Sequence, residues 1–398
     1  MPCLVCVACG KRYPLATALR CNDCNEPLEV RYESLKPPAR IKDEPCFITR
    51  NTNIFPLPNL RPELSLGEGT TPLLGAPHLQ ADTGLDTIYL KNETVNPTWS
   101  FKDRGTSLGV QAAVWFGLSA IGTVSSGNMA ASTAAFAARA GLNAYVFVQE
   151  DMPDGKIEPI AIYGPHLNRG VGDYGQLYFN ALSLGEKHGI YFISSDNPFR
   201  VEGQKTVAYE ILDQLDYQPL DFIVMPVSSG GNMAAAIKAG EEMEALGLTK
   251  KAPMIIGVQA AGCSPIVTAV AEGKEQIEHF GQPNTIAHAI SNPMPPSGNR
   301  ILRKVKEGRA HVVSVTEEQI LAAQAFLASQ EGLFVQPAGA VPVAAIRKLA
   351  QEGTLKPKHK VAAILTGSGL KDTSALALHA LKAGAVPVDN LELALKGR

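Results

Sequence analysis

The chain has 398 residues and a formal net charge of −2, long enough for two or three domains around a large core. Apolar residues make up 45% and charged residues 19%, with 36 glycines and 28 prolines, which excludes a disordered chain and describes a turn-rich α/β protein. No basic run supplies the clustered field a nucleic-acid partner needs, and no stretch reaches the apolar length of a membrane span; with no charged leader before an apolar core, the expected compartment is the cytoplasm.

Five of the seven cysteines precede residue 25, as Cys3, Cys6-Val7-Ala8-Cys9-Gly10 and Cys21-Asn22-Asp23-Cys24. Two C-x-x-C knuckles can place four thiolates on one tetrahedral ion, so Cys6, Cys9, Cys21 and Cys24 are read as a structural zinc set in a zinc-ribbon-like segment, 1–33. The alternative is a vacant ribbon, and Cys3 can compete with Cys6, although Gly10 suits a tight turn behind the Cys6/Cys9 pair. Cys46 and Cys263 are isolated and read as packing residues. A proline-rich stretch, Lys36 to Glu63, follows as an ordered but irregular linker.

Beyond it, strand-like runs alternate with helical ones. The strands are expected at 87–90, 120–124, 144–148, 190–193, 222–227, 254–258, 312–315 and 361–365. That alternation predicts mainly parallel sheets covered by helices on both faces. Thr316 with Gln319 forms a capping box before the run 320–327, and a last short helix is expected at 374–382.

Lys102 lies in Asn96-Pro97-Thr98-Trp99-Ser100-Phe101-Lys102-Asp103-Arg104-Gly105, between an extended segment and a helical run, 106–116. An amine at that mouth points into a cleft and can form a Schiff base with an aldehyde cofactor once desolvation or neighbouring cations lower its pKa. Three turns follow strands downstream. Ser125-Ser126-Gly127-Asn128 opens an alanine-rich helix, with Asn128 as its N-cap or, instead, bonding a ligand oxygen beside Lys102. Ser228-Ser229-Gly230-Gly231-Asn232 lets backbone N–H groups approach an anion at a helix start, without a Walker or dinucleotide fingerprint. Thr366-Gly367-Ser368-Gly369 carries hydroxyls for a ring nitrogen. All three turns fall at strand carboxyl ends, which predicts one shared cleft.

These motifs, with Glu68-Gly69-Thr70-Thr71-Pro72-Leu73, the run 197–206, and Glu331-Gly332 through Pro337-Ala338-Gly339-Ala340, carry a resemblance over nearly the whole chain. The chain resembles the threonine synthases, in the fold-type II, tryptophan synthase beta-like family of pyridoxal-phosphate enzymes that also includes cysteate synthase, cysteine synthase and threonine dehydratase. The resemblance implies an α/β fold of two open, parallel-rich sheets. Its expected division is a large cofactor-binding domain, 64–100 and 190–398, and a small domain, 101–189.

It further implies that Lys102 holds the pyridoxal phosphate as a Schiff base and then acts as base on the substrate Cα proton. Asn128 would contact the cofactor's phenolic oxygen, Ser228, Ser229, Gly230, Gly231 and Asn232 its phosphate, and Thr366 its pyridine nitrogen. Ser125, Ser126, Asn197, Arg200 and Lys205 would bind a phosphorylated amino acid, Arg200 gripping its phosphate through parallel hydrogen bonds. The expected reaction turns O-phospho-L-homoserine and water into L-threonine and phosphate, in a homodimer. Two residues depart from the family: Trp99 stands for a glycine, and Met129 for a hydroxyl residue. They leave open a β-replacement on O-phosphoserine and sulfite, as in cysteate synthase, or a serine/threonine dehydratase. His288 is read as a packed or solvent-facing imidazole.

Overall fold

The computed structural model describes residues 2–38, 46–125, 127–150, 152–172, 174–379, 381, 383 and 385–395. Three short strands come first: β1 (Cys3–Cys6), β2 (Arg12–Tyr13) and β3 (Leu28–Arg31). β1 pairs antiparallel with both, in the order β2-β1-β3. Leu4, Leu28 and Val30 close a small core with Cys6 and Cys21.

Residues 39–45 of the stretch expected as a linker lie outside the described residues, and its part from Cys46 onward packs onto the body rather than spacing two units. Within it, α1 (Phe47–Arg50) and the turns after it bury Phe47, Ile48, Ile54, Phe55 and Leu57 in the main apolar core. The chain then alternates through β4 (Leu73–Gly75), α2 (Pro77–Thr83), β5 (Thr87–Asn92), α3 (Lys102–Trp115), β6 (Ala120–Val124), α4 (Asn128–Ala140), β7 (Asn143–Gln149), α5 (Asp154–Ala161), β8 (His166–Gly170), α6 (Tyr174–His188) and β9 (Ile190–Phe192). It continues with α7 (Pro198–Gln204), α8 (Thr206–Gln214), β10 (Phe222–Pro226), α9 (Gly231–Ala245), β11 (Met254–Ala260), α10 (Pro265–Ala271), α11 (Gly298–Lys306), β12 (Ala310–Val315), α12 (Glu317–Gln330), α13 (Pro337–Gln351) and β13 (Lys360–Leu365).

Two sheets organise the body. The larger runs β12-β11-β10-β13-β5-β4, parallel except for β4, and the smaller runs β8-β7-β6-β9, all parallel. The central strands β10, β11 and β13 are buried on both faces, because helices cover each side, and two apolar cores sandwich the larger sheet. The small sheet takes in β9, so the return to the large domain expected at residue 190 comes one strand too early.

Two element boundaries differ from expectation. α3 begins at Lys102, not Thr106, since Asp103 accepts bonds from the Thr98 N–H and hydroxyl and folds the preceding turn back onto the first helical residues. The helix expected at 374–382 is a short 3-10 segment, Ser374–His379, and residues 380 and 382 of the expected run lie outside the described residues. The capping box at Thr316 and Gln319 makes both of its bonds.

Candidate active site

Three adjacent parallel strands, β10, β13 and β5, end on one side of the large sheet, and the segment after β6 of the small sheet is joined to them through Asn128. Short bonds lock the segments that follow them. Phe101 N–H donates to Thr366 O (3.0 Å), Ser368 N–H to Trp99 O (3.0 Å), and Gln336 N–H to Gly367 O (2.9 Å). The Asn128 amide donates to Gln336 Oε1 (2.8 Å). Lys102, Asn128 and Thr366 are therefore brought together from α3, α4 and β13. Gln336, just before Pro337 of α13, is a member of this group that motif reading passed over. Its signal was its place inside the matched stretch from Glu331 through Ala340, directly before Pro337.

Asn128 is not the N-cap of α4. Gly127 holds that position, and Asn128 is the first helical residue with its amide turned to Gln336. Ser125 Oγ accepts the Gly127 N–H (3.3 Å), and Ser126 lies outside the described residues. Met129 is buried in the apolar core beneath this turn. It fills volume at the position named above as a departure from the family's hydroxyl residue.

The Lys102 amine is half-buried and rests over the Phe101 ring, 4.6 Å from its centroid. Burial, reinforced by the Arg200 guanidinium, pulls its ammonium down to about 7, so a large share of it is neutral and nucleophilic near neutral pH. Nearby, burial pushes the Asp103 carboxyl up to about 6 against the bonds from Ser132 and Thr98. Lys371 Nζ donates to Thr98 O (2.7 Å) and is drawn down to about 8 by burial. These groups clamp both sides of the turn that carries Lys102.

That turn contains a strained residue. Trp99 has φ +61, in the left-handed region, with half of its surface exposed. A glycine adopts this conformation freely, whereas a side chain pays for it.

Gly230, at φ +87, leads into α9, and at Gly231 a Cβ would lie 2.2 Å from Ser195 O. The first N–H groups of such a helix have no partner inside it and face an incoming anion. Both polar atoms of the Asn232 amide are shielded and lack hydrogen-bond partners among the described residues, and Ser229 Oγ accepts a long bond from Asn292 (3.3 Å). The Ser228 to Asn232 turn thus carries unspent polar capacity.

Asn197 caps α7, its Oδ1 accepting from Phe199 N–H (3.0 Å) and Arg200 N–H (3.2 Å). Arg200 is fully buried, donates from Nη1 to Ser194 O (3.1 Å), and leaves Nε and Nη2 without partners among the described residues. α3 and α7 approach so closely that small residues are required: a Cβ at Gly203 would lie 2.2 Å from Arg104 O, and one at Gly105 3.1 Å from Arg200 O. This contact sets Arg200 against the helix that starts at Lys102.

Lys205 does not join them. Its ammonium is committed to Glu202 (2.6 Å) and Glu242 (2.9 Å), so its expected role on a substrate phosphate is corrected to a buried ion-pair role. Glu202 is shared with Tyr32 (2.5 Å), and Lys238 reaches both Glu202 and Val30 O, tying the cysteine-bearing segment to α7 and α9.

A second buried cluster holds the other side. Arg104 pairs with Glu93 (2.7 Å) and Glu210 (3.0 Å), and Lys91 with Glu210 (2.5 Å). Glu210 also accepts the Thr70 and Thr71 N–H groups, fixing the 68–73 turn. Despite burial, Arg104 and Lys91 hold the Glu210 carboxyl down to about 2. The sequence signal for this cluster was the lone charges Lys91, Glu93 and Glu210 set in otherwise apolar or hydroxyl-rich runs.

The Sγ atoms of Cys6, Cys9, Cys21 and Cys24 lie within 4.8 Å of one another, and Cys3 stands outside the group. Gly10, at φ +75, closes the knuckle that directs the Ala8 and Cys9 N–H groups at Cys6 Sγ. This arrangement fits a zinc ribbon. Cys46 and Cys263 are buried and separate, and His288 is exposed.

Residues 64–367 match the family described as pyridoxal-phosphate dependent enzyme. Threonine synthase of Methanocaldococcus jannaschii is 35% identical over 389 residues, covering 96% of this chain and 95% of that protein. Threonine synthase of Halalkalibacterium halodurans is 37% identical over 322 residues, covering 80% and 87%. Among solved structures, maize serine racemase superposes with a TM-score of 0.64 at 22% identity, covering 82% of this chain and 93% of that one, a likeness of fold. With this coverage at both levels, the chain belongs to the fold-type II pyridoxal-phosphate-dependent enzymes, in the threonine synthase family.

Proposed function

We propose that the chain converts O-phospho-L-homoserine and water to L-threonine and inorganic phosphate. The observation that carries this reading is Arg200, a fully buried guanidinium with two unpartnered nitrogens, close enough to Lys102 to depress its pKa. A buried cation with open donors is costly unless an anion completes it, and a guanidinium suits a phosphate through parallel hydrogen bonds. The threonine synthase relatives, aligned along almost the whole chain, support the same substrate.

The residues present fit a phosphorylated aldehyde cofactor: a neutral-capable lysine, an anion-facing helix start with an unspent Asn232 amide, and the Thr366 hydroxyl at a strand end. When bound, pyridoxal phosphate would supply the electron sink that makes a substrate Cα proton acidic. Lys102 would hold it and, once released, carry the proton to and from Cα. Asn128, steadied by Gln336, and Thr366 would orient it, with Ser228 to Asn232 around its phosphate. Ser125, Asn197 and Arg200 would seat the substrate, Arg200 on the departing phosphate. Cys6, Cys9, Cys21 and Cys24 would hold a structural zinc. A cytoplasmic homodimer completes the reading.

The test is turnover of the purified, cofactor-loaded protein on O-phospho-L-homoserine, and in parallel on O-phospho-L-serine with sulfite, with product identification. Threonine and phosphate from the first are expected, and Lys102→Ala should abolish both. Cysteate, or a 2-oxo acid alone, would overturn the substrate assignment.

A further inference from the structure

Arg20 directly precedes Cys21 in the cysteine-bearing segment, yet its side chain leaves that segment. Nη2 reaches Asp196 Oδ2 (2.7 Å) and Pro296 O (3.2 Å), while Nη1 bonds Asn25 O beside the knuckle. Asp196 is almost fully buried, and its other oxygen accepts from Ser194 Oγ (2.9 Å) and the Tyr178 hydroxyl (3.3 Å). Ser194 is also the residue whose carbonyl takes the one bond that the Arg200 guanidinium donates among the described residues. Arg20, Asp196, Ser194 and Arg200 thus form a chain from the cysteine cluster to the candidate phosphate subsite.

A half-buried arginine, Arg20, and a fully buried one, Arg200, flank one buried carboxylate, and of the two only Arg20 is bonded to it. No ion pair joins Arg200 to Asp196 among the described residues, although Asp196 is the carboxylate whose field acts most strongly on that guanidinium. Paired with Asp196, Arg200 would lose the open donors that an incoming phosphate needs. A cation already seated on Asp196 removes that competitor.

We propose that Arg20 is a positioning residue for anion binding: by holding Asp196 it keeps Arg200 open to the substrate phosphate, and so couples the cysteine-bearing segment to the active site. This rests on the reading of Arg200 as the phosphate ligand. Without Arg20, Asp196 turns to Arg200 and closes the subsite from within.

The experiment is calorimetric titration of inorganic phosphate into the cofactor-loaded protein, whose cofactor already fills the Ser228 to Asn232 turn. Wild type is compared with R20Q, D196N, R20Q/D196N and R200Q. R20Q is expected to weaken phosphate binding about tenfold, a change of about 1.4 kcal/mol, and R20Q/D196N to restore it. That rescue would not follow if Arg20 were only a staple between segments. Unchanged binding in R200Q would overturn the phosphate reading itself. Weakened binding in R200Q with none in R20Q would overturn the Arg20 proposal alone, as would a double variant as weak as R20Q. Steady-state KM for the phosphorylated substrate should follow the same order, with kcat much less affected.

Discussion

Lys102 is the residue whose chemistry depends most on its surroundings. An unperturbed lysine is protonated at pH 7, but burial and the Arg200 charge bring this one to about 7. Labelling of the cofactor-free protein by a carbonyl reagent, followed by reduction and mass spectrometry, should show half-maximal reaction at Lys102 near pH 7. Replacement Arg200→Met should move that midpoint upward, since it removes a repelling cation while leaving the burial. Trp99 makes a different point. At φ +61, Trp99→Gly should be more stable than Trp99→Ala by about 1 kcal/mol in urea unfolding, the reverse of the usual order, because the left-handed conformation penalises any Cβ. The tryptophan was visible in the sequence as a departure from its family, and its backbone strain was not.

Among the elements, the α3/α7 contact decides where Lys102 and Arg200 stand. A methyl group at Gly203 would meet the Arg104 carbonyl at 2.2 Å, backbone that cannot move aside without shifting a helix. Gly203→Ala should therefore cost about 1–3 kcal/mol of stability and raise the KM for the phosphorylated substrate as Arg200 is displaced. The Arg104, Glu93, Glu210 and Lys91 cluster anchors the opposite side of α3. Glu210→Gln leaves buried cations short of their partner and should cost about 3–5 kcal/mol in chemical denaturation. The pH dependence has a definite sign. Glu210 is held at about 2, below the roughly 4.3 of an unfolded glutamate, so its contribution is present above that value and lost as pH falls toward 2. Glu93, lowered by the same arginine, acts in the same direction, and the acid limb of a stability profile should flatten in the Glu210→Gln variant.

At the scale of the molecule, the cysteine-bearing segment is a built part of the body. Beyond Arg20, its Glu29 pairs with Arg300 and its Glu26 with Arg303, on the helix that follows Ser297, whose N–H donates to Ser229 O (3.0 Å). Metal analysis of purified protein is expected to find one zinc per chain. Its removal by a strong chelator should lower the thermal midpoint, since the ion's bonds to four sulfurs hold the two knuckles together and their binding free energy is part of the folding free energy. Among the described residues no helix is long and apolar enough to cross a membrane.

Local information in the sequence was enough for the alternating elements, the two cysteine knuckles, the capping box at Thr316, and the placing of three glycine turns at strand ends. Each rests on periodicity or on a backbone conformation that few residue types adopt, and so can be read within a short window. What only the tertiary structure decided is the company these residues keep. Lys205 and Arg200 are five residues apart and both buried, yet Lys205 is consumed by Glu202 and Glu242 while Arg200 keeps open donors. Gln336 acquires its place only because α13 brings it to Asn128, 208 positions away in the chain. Burial and distant charges determine which polar groups are spent and which are free, and those follow from how the helices pack rather than from neighbouring letters.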